Sequence, residues 1–197
     1  MSWLVMALLQ SAPVIIKRSE WDPTPPKRCC ASYDQPIKKV LKWIVVHHSD
    51  FTDAPGPLAI KEYHLQVSGF SDIGYHFVIA ADGTIYEGRS LQLMGSHAGI
   101  TVEGKKDRHK DPDYGSIGVV LDGQYSQADP TPQQIQALFS LVPHLRKRFH
   151  IRADHVIGHR DVKPVLDDAR GLTFVGELKD CPGEGGMKLV EILRHAE

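Results

Sequence analysis

His47, His159 and Cys181 are the side chains whose types suit a hydrolytic metal site. Such a site takes three protein donors from His, Cys or carboxylate and keeps one coordination position open. His47 stands where the apolar run Val40–Val46 ends, His159 follows Val156-Ile157-Gly158, and Cys181 precedes Pro182-Gly183. Strand ends suit ligands, because a rigid sheet fixes their angles while the adjoining loop leaves room for substrate. The three residues come from separate parts of the chain, so spacing alone leaves two readings open. They are either one zinc ligand set or unrelated core and surface residues. Eleven His point to metal or acid–base chemistry without choosing between them. Cys29 and Cys30 read as small buried hydrophobes or a vicinal thiol pair, because no CxxC partner or nearby His supports a zinc role.

The elements that must position these side chains follow from pattern. Hydrophobic residues make up 42% of the 197 and charged residues 24%, the balance of a soluble globular chain. A net charge of −1 argues against a protein that works by neutralising nucleic-acid phosphates. Three Cys make a disulfide framework an unsuitable reading, and no apolar run is long enough to span a bilayer. The chain reads as a single domain, 1–197: an apolar segment and Pro-rich lead-in over 1–36, then a core over 37–197. Strands are expected at Val40–Val46, Ile117–Leu121 and Val156-Ile157. A hairpin of Tyr75–Ala80 and Thr84–Tyr86 is expected to turn tightly at Asp82-Gly83. Helices are expected at Leu58–Val67, after the Thr131 cap with Pro132 and Gln134, and over Met187–Arg194. Pro143 is expected to kink the second of these. The charged stretch Ile100–Tyr114 reads as a surface excursion, its Lys105–Lys110 run a solvated loop or a grip for anionic polymer or a partner protein. Strands alternating with helices give an α/β fold on one central mixed sheet flanked by helices.

Seven strings then occur in order: Trp43-Ile-Val-Val-His47-His48-Ser49, Ser71-Asp72-Ile73-Gly74-Tyr75-His76-Phe77, Asp82-Gly83-Thr84-Ile85-Tyr86-Glu87-Gly88-Arg89, Gly95-Ser96-His97-Ala98, Ser116-Ile117-Gly118-Val119, Val156-Ile157-Gly158-His159-Arg160-Asp161 and Asp180-Cys181-Pro182-Gly183. Together they resemble the type 2 N-acetylmuramoyl-L-alanine amidases, the superfamily that includes peptidoglycan recognition proteins and phage lysozyme-type amidases. Arg18-Ser19-Glu20-Trp21 is similar to the opening of the recognition-protein branch, so the resemblance runs from about Arg18 to Gly183. It implies the fold of that superfamily and a Zn²⁺ amidase that cuts between the muramic acid lactyl group and L-alanine. The family's metal ligands fall on His47, His159 and Cys181, and its active-site Tyr on Tyr75. The Lys of the phage-like branch, two residues before the Cys, falls on Lys179, where its ammonium would help hold the oxyanion. The alternative is a peptidoglycan-binding module without catalysis; in such relatives the Cys is lost, whereas Cys181 is present here.

Other residues carry lesser expectations. His64, on a helix, and His97, in the Gly-x-His-Ala loop, are candidate substrate contacts in the groove. Strand alternation points His48 away from His47 and His76 away from Tyr75. Arg160 and Asp161 read as an ion pair or loop anchor, and Trp21, Trp43 and Tyr86 as core aromatics. Three departures from the family pattern stand out. The chain contains no Asn, which relatives often use to contact substrate. His159 to Cys181 spans 181 − 159 = 22 positions, so residues about Lys163 to Glu177 are extra and could form a flap. Val120 and Cys181 stand where the cytosolic recycling branch has Glu and Asp. The expected partner is peptidoglycan, with an immunity or inhibitor protein as a second, and the expected place of action is the periplasm or cell wall. A phage endolysin, a secreted effector and an atypical export signal are the routes considered.

Overall fold

Alternation along short strands sorts side chains onto the two faces of one sheet. The computed structural model describes residues 12–24, 31–99, 108–162 and 180–195. In chain order its elements are β1 Ile15–Ile16, α1 Arg18–Trp21, α2 Ile37–Val40, β2 Trp43–His48, α3 Pro57–Gln66, β3 Phe77–Ile79, β4 Ile85–Glu87, β5 Ser116–Leu121, α4 Pro132–Phe149, β6 Val156–Gly158 and α5 Gly183–His195. The strands lie in the order β1-β4-β3-β5-β2-β6. The pair β3–β4 is antiparallel and the other pairs are parallel, so the sheet is mixed, as expected.

One face carries Ile44 and Val46 of β2, Ile117, Val119 and Leu121 of β5, and Phe77 and Ile79 of β3. Leu138, Leu141 and Leu145 of α4 and Leu189, Val190 and Leu193 of α5 cover it. Each such fully buried side chain contributes about 1.5–3 kcal/mol by leaving water. The opposite face carries Val45 and Ile157, with Val78 and Val120 packed beneath Ile60 of α3. His47, two residues after Val45, belongs to this second face. The two long helices therefore leave the site's side of the sheet free for loops and α3.

Helix α4 starts as expected. Thr131 Oγ1 accepts the Gln134 N–H at 3.1 Å, and Gln134 Oε1 accepts the Thr131 N–H at 3.1 Å. The buried Gln134 amide also donates to the carbonyls of Ile79 and Asp122, tying the helix to the ends of β3 and β5. Pro143 lies within α4, which continues through it to Phe149.

Several boundaries differ from the pattern reading. Val40 closes the single turn α2, and β2 begins only at Trp43. The hairpin has a three-residue loop in place of a tight pair: Gly83 N donates to Ala80 O, Ala80 N donates to Thr84 O, and Gly83 takes φ +86. Helix α5 begins at Gly183, four residues before the expected Met187. Glycine is a poor helix former, so the pattern hides this turn. Packing requires it, because a Cβ on Gly185 would fall 2.1 Å from the Ala128 carbonyl oxygen. The Ile100–Tyr114 excursion is not wholly on the surface, since Asp113 is only 5% exposed. Cys29, Cys30, the start of the lysine run and the 163–177 insertion lie outside the described residues.

Candidate metal centre

His47, His159 and Cys181 come together. Strand β2 brings His47 to its end, and the pairing of Val46 with Gly158 sets the end of β6 beside it. His159 then opens the short turn His159–Asp161. Cys181 lies in a turn closed by Gly183 N donating to Asp180 O at 2.7 Å, where Gly183 has φ +75. Arg160 N donates to Cys181 O at 2.7 Å, binding the two segments together. One donor atom from each of the three residues lies within 4.8 Å of the others. Cys181 Sγ is 3.6 Å from His47 Nδ1, and the His47 and His159 rings are 4.5 Å apart. Tetrahedral zinc, with bonds of about 2.0–2.1 Å to nitrogen and 2.3 Å to sulfur, separates its donors by roughly 3.4–3.6 Å. The set fits that ion. His47 is buried while His159 and Cys181 are partly exposed, which leaves solvent access from their side.

The electrostatics agree with a ligand role. Burial, followed by the neighbouring His159 and His97, holds the His47 imidazole well below its ordinary range, so it stays neutral as a ligand must. The His48 backbone N–H donates to Cys181 Sγ at 3.3 Å, a contact that favours a thiolate.

Tyr75 also reaches the group, its ring 5.0 Å from that of His47. Burial, then the adjacent Cys181, raises the phenol far above its ordinary range, so it is kept as an O–H donor. His64 packs behind Tyr75 at 5.2 Å, is 8% exposed, and accepts the Gly74 N–H at Nδ1. Burial, then Arg89, pushes it down to about 4. His97 lies behind His47, its Nδ1 3.1 Å from His47 Nε2, with no exposed side-chain surface. His64 and His97 are thus both buried, beside Tyr75 and His47 respectively.

The remaining expectations can be placed. His48 turns to the other side and accepts the Tyr125 N–H at 3.1 Å. His76 accepts from Gly118 N and faces the Leu93 carbonyl, both inside the fold. Arg160 and Asp161 anchor loops separately: Arg160 pairs with Glu184 at 2.7 Å, and Asp161 with Arg194. Trp21, Trp43 and Tyr86 are partly buried against core clusters. Lys179 lies outside the described residues. Sequence reasoning missed two residues. Arg89 is 3% exposed and donates to the carbonyls of Ile73 and Met94 and to Ser96 Oγ, organising the 94–96 loop. Asp113 accepts three backbone N–H groups of the His97 loop. The Asp111-Pro112-Asp113 setting favours a turn, but nothing in it marks the acid as buried.

Comparison with known proteins gives the family and the fold. The family model described as N-acetylmuramoyl-L-alanine amidase matches residues 36–184. Peptidoglycan recognition protein 1 of Bos indicus is 27% identical over 179 residues, covering 84% of this chain and 86% of its own. Peptidoglycan-recognition protein SC2 of Drosophila simulans is 32% identical over 158 residues, covering 75% and 76%. Among solved structures, the endolysin N-acetylmuramoyl-L-alanine amidase LysCS from Clostridium intestinale URNW superposes with a TM-score of 0.68 at 24% identity, covering 95% of this chain and 99% of that one, which shows a shared fold.

Proposed function

The chain belongs to the N-acetylmuramoyl-L-alanine amidase family, and from that premise we propose that it is a zinc-dependent hydrolase cutting the lactyl–L-alanine amide of peptidoglycan. The observation that carries the reading is the convergence of one donor atom each from His47, His159 and Cys181 within 4.8 Å, with access from one side. Zn²⁺ held there supplies Lewis acidity toward the amide carbonyl and lowers the pKa of a water toward about 7.

The chain's own residues do the rest. His47 stays neutral through burial, and Cys181 is fixed by the His48 N–H and by the turn before α5. Tyr75 keeps its proton and can donate to the carbonyl oxygen as charge gathers there, worth about 3–4 kcal/mol for one well-aimed donor. Lys179 is proposed as a second stabiliser of that charge. Peptidoglycan is the proposed partner, with the wall or periplasm as the place of action. An immunity or inhibitor protein is a further proposed partner. No described helix is long and apolar enough to cross a membrane.

The test is metal content together with product release. One zinc per chain and free stem peptides from purified sacculi are expected. Stoichiometric zinc without release would favour the recognition-module reading, in line with the names of the relatives. A protein purified and reconstituted with zinc that still binds none would end the hydrolase reading.

A further inference from the structure

Behind His47 a second imidazole is built into the sheet. His97 Nδ1 lies 3.1 Å from His47 Nε2. The other ring nitrogen, His97 Nε2, faces Asp113 Oδ1 at 3.5 Å, and the Ser116 backbone also stands beside the ring. Neither side chain meets solvent, at 0% and 6% exposure. The sequence makes room for this ring. Gly118 of β5 pairs in register with Val45, and a Cβ there would fall 2.5 Å from His97 Cδ2. One on Gly95 would fall 2.3 Å from the same atom. The carboxylate is held just as firmly, by the N–H groups of His97 and Ala98 at 2.9 Å and of Gly99 at 2.8 Å. An apolar side chain would fill such a space without needing partners, so the polar ring calls for another reason.

Resting on the reading of His47 as a metal ligand, we propose that His97 and Asp113 are positioning residues that fix which nitrogen of His47 is bare. His47 Nδ1 is the atom facing Cys181 Sγ at 3.6 Å, so it must carry no proton to act as a donor. The ring proton then sits on Nε2 and is donated to His97 Nδ1. His97 in turn carries its own proton on Nε2, toward a carboxylate that can only accept. With that order the 3.1 Å contact of His47 with His97 becomes a hydrogen bond, and the negative charge of Asp113, 3.5 Å from His97 Nε2, favours the proton on that side.

Zinc affinity, measured by competition with a chromophoric chelator, tests the role. His97→Phe fills the same cradle without an acceptor and is expected to weaken zinc binding by about 10–100-fold. His97→Asn returns an acceptor oxygen near the Nδ1 position and is expected to recover most of that loss. A folded His97→Phe with unchanged affinity would overturn the proposal. Long-range ¹H–¹⁵N spectra of the unsubstituted protein decide the matter even where the variants do not fold. Protons on Nε2 of both His47 and His97 are expected, and a proton on His97 Nδ1 overturns the assignment. Zinc binding untouched by Cys181→Ala would instead strike the ligand reading, while the proton order stays readable in the metal-free protein.

Discussion

Removing a donor should act differently from removing a group that touches only substrate. Cys181→Ala and His159→Ala are expected to lose stoichiometric zinc and with it activity on sacculi, as checked by elemental analysis of the purified variants. Tyr75→Phe should keep its zinc, because the ring stands 5.0 Å from His47 without being one of the three donors. Its turnover should fall by about 10²–10³-fold, the span for losing one hydrogen-bond donor to the developing oxyanion. An unchanged rate would remove Tyr75 from the chemistry. Lys179→Ala should likewise keep metal and slow turnover. His47, His159 and Cys181 were legible as candidates because each stands at a strand end or beside Pro-Gly, but position left two readings open and only the family resemblance joined them into one set. Asp113 was not, since an acid inside a charged run looks solvated until the backbone donors around it are seen. His97 was legible as a candidate, but its depth was not, because nothing in Gly95-Ser96-His97-Ala98 says that the ring lies against Gly118.

At the scale of elements, the capping box of α4 does two jobs. Thr131 Oγ1 accepts from Gln134 N and also donates to the Ala81 carbonyl at 2.6 Å, so the helix start is tied to the β3–β4 hairpin loop. Thr131→Ala should cost about 1–2 kcal/mol, at the upper end for a lost cap, measured as a lower urea midpoint with unchanged slope. A loss below a few tenths would mean that neither the cap nor the hairpin contact stabilises the fold. Strong periodicity made the body of α4 readable; α3 was placed within a residue at each end although its pattern is weak, with Ile60 and His64 buried and Val67 exposed. Glycines hid the start of α5, since Gly183 and Gly185 serve close approach to the 125–129 segment, and Gly186 to Pro182, and not helix propensity. The short β1 and the single turns α1 and α2 carry too few residues for any period to show.

Across the whole molecule, buried imidazoles make stability depend on acid. Burial, followed by Arg89, takes His64 down to about 4, while burial, followed by His97, takes His76 down to about 3. Both ordinarily titrate near 6.5, so the unfolded chain binds protons that the folded one refuses. Their contribution is therefore complete above about pH 6.5 and is lost as pH falls toward 4 and then 3. With both groups engaged the slope approaches about 2–3 kcal/mol per pH unit. Denaturation of the Cys181→Ala variant at pH 7 and pH 5 isolates this effect from metal loss, and equal stability at the two values would refute it. The division of the sheet has a practical consequence. Gln136 and Lys147 are exposed on α4, across the sheet from His47. A dye, bead or sensor surface attached on this face at Gln136 would hold the protein by its back, leaving His159 and Cys181 turned to the fluid.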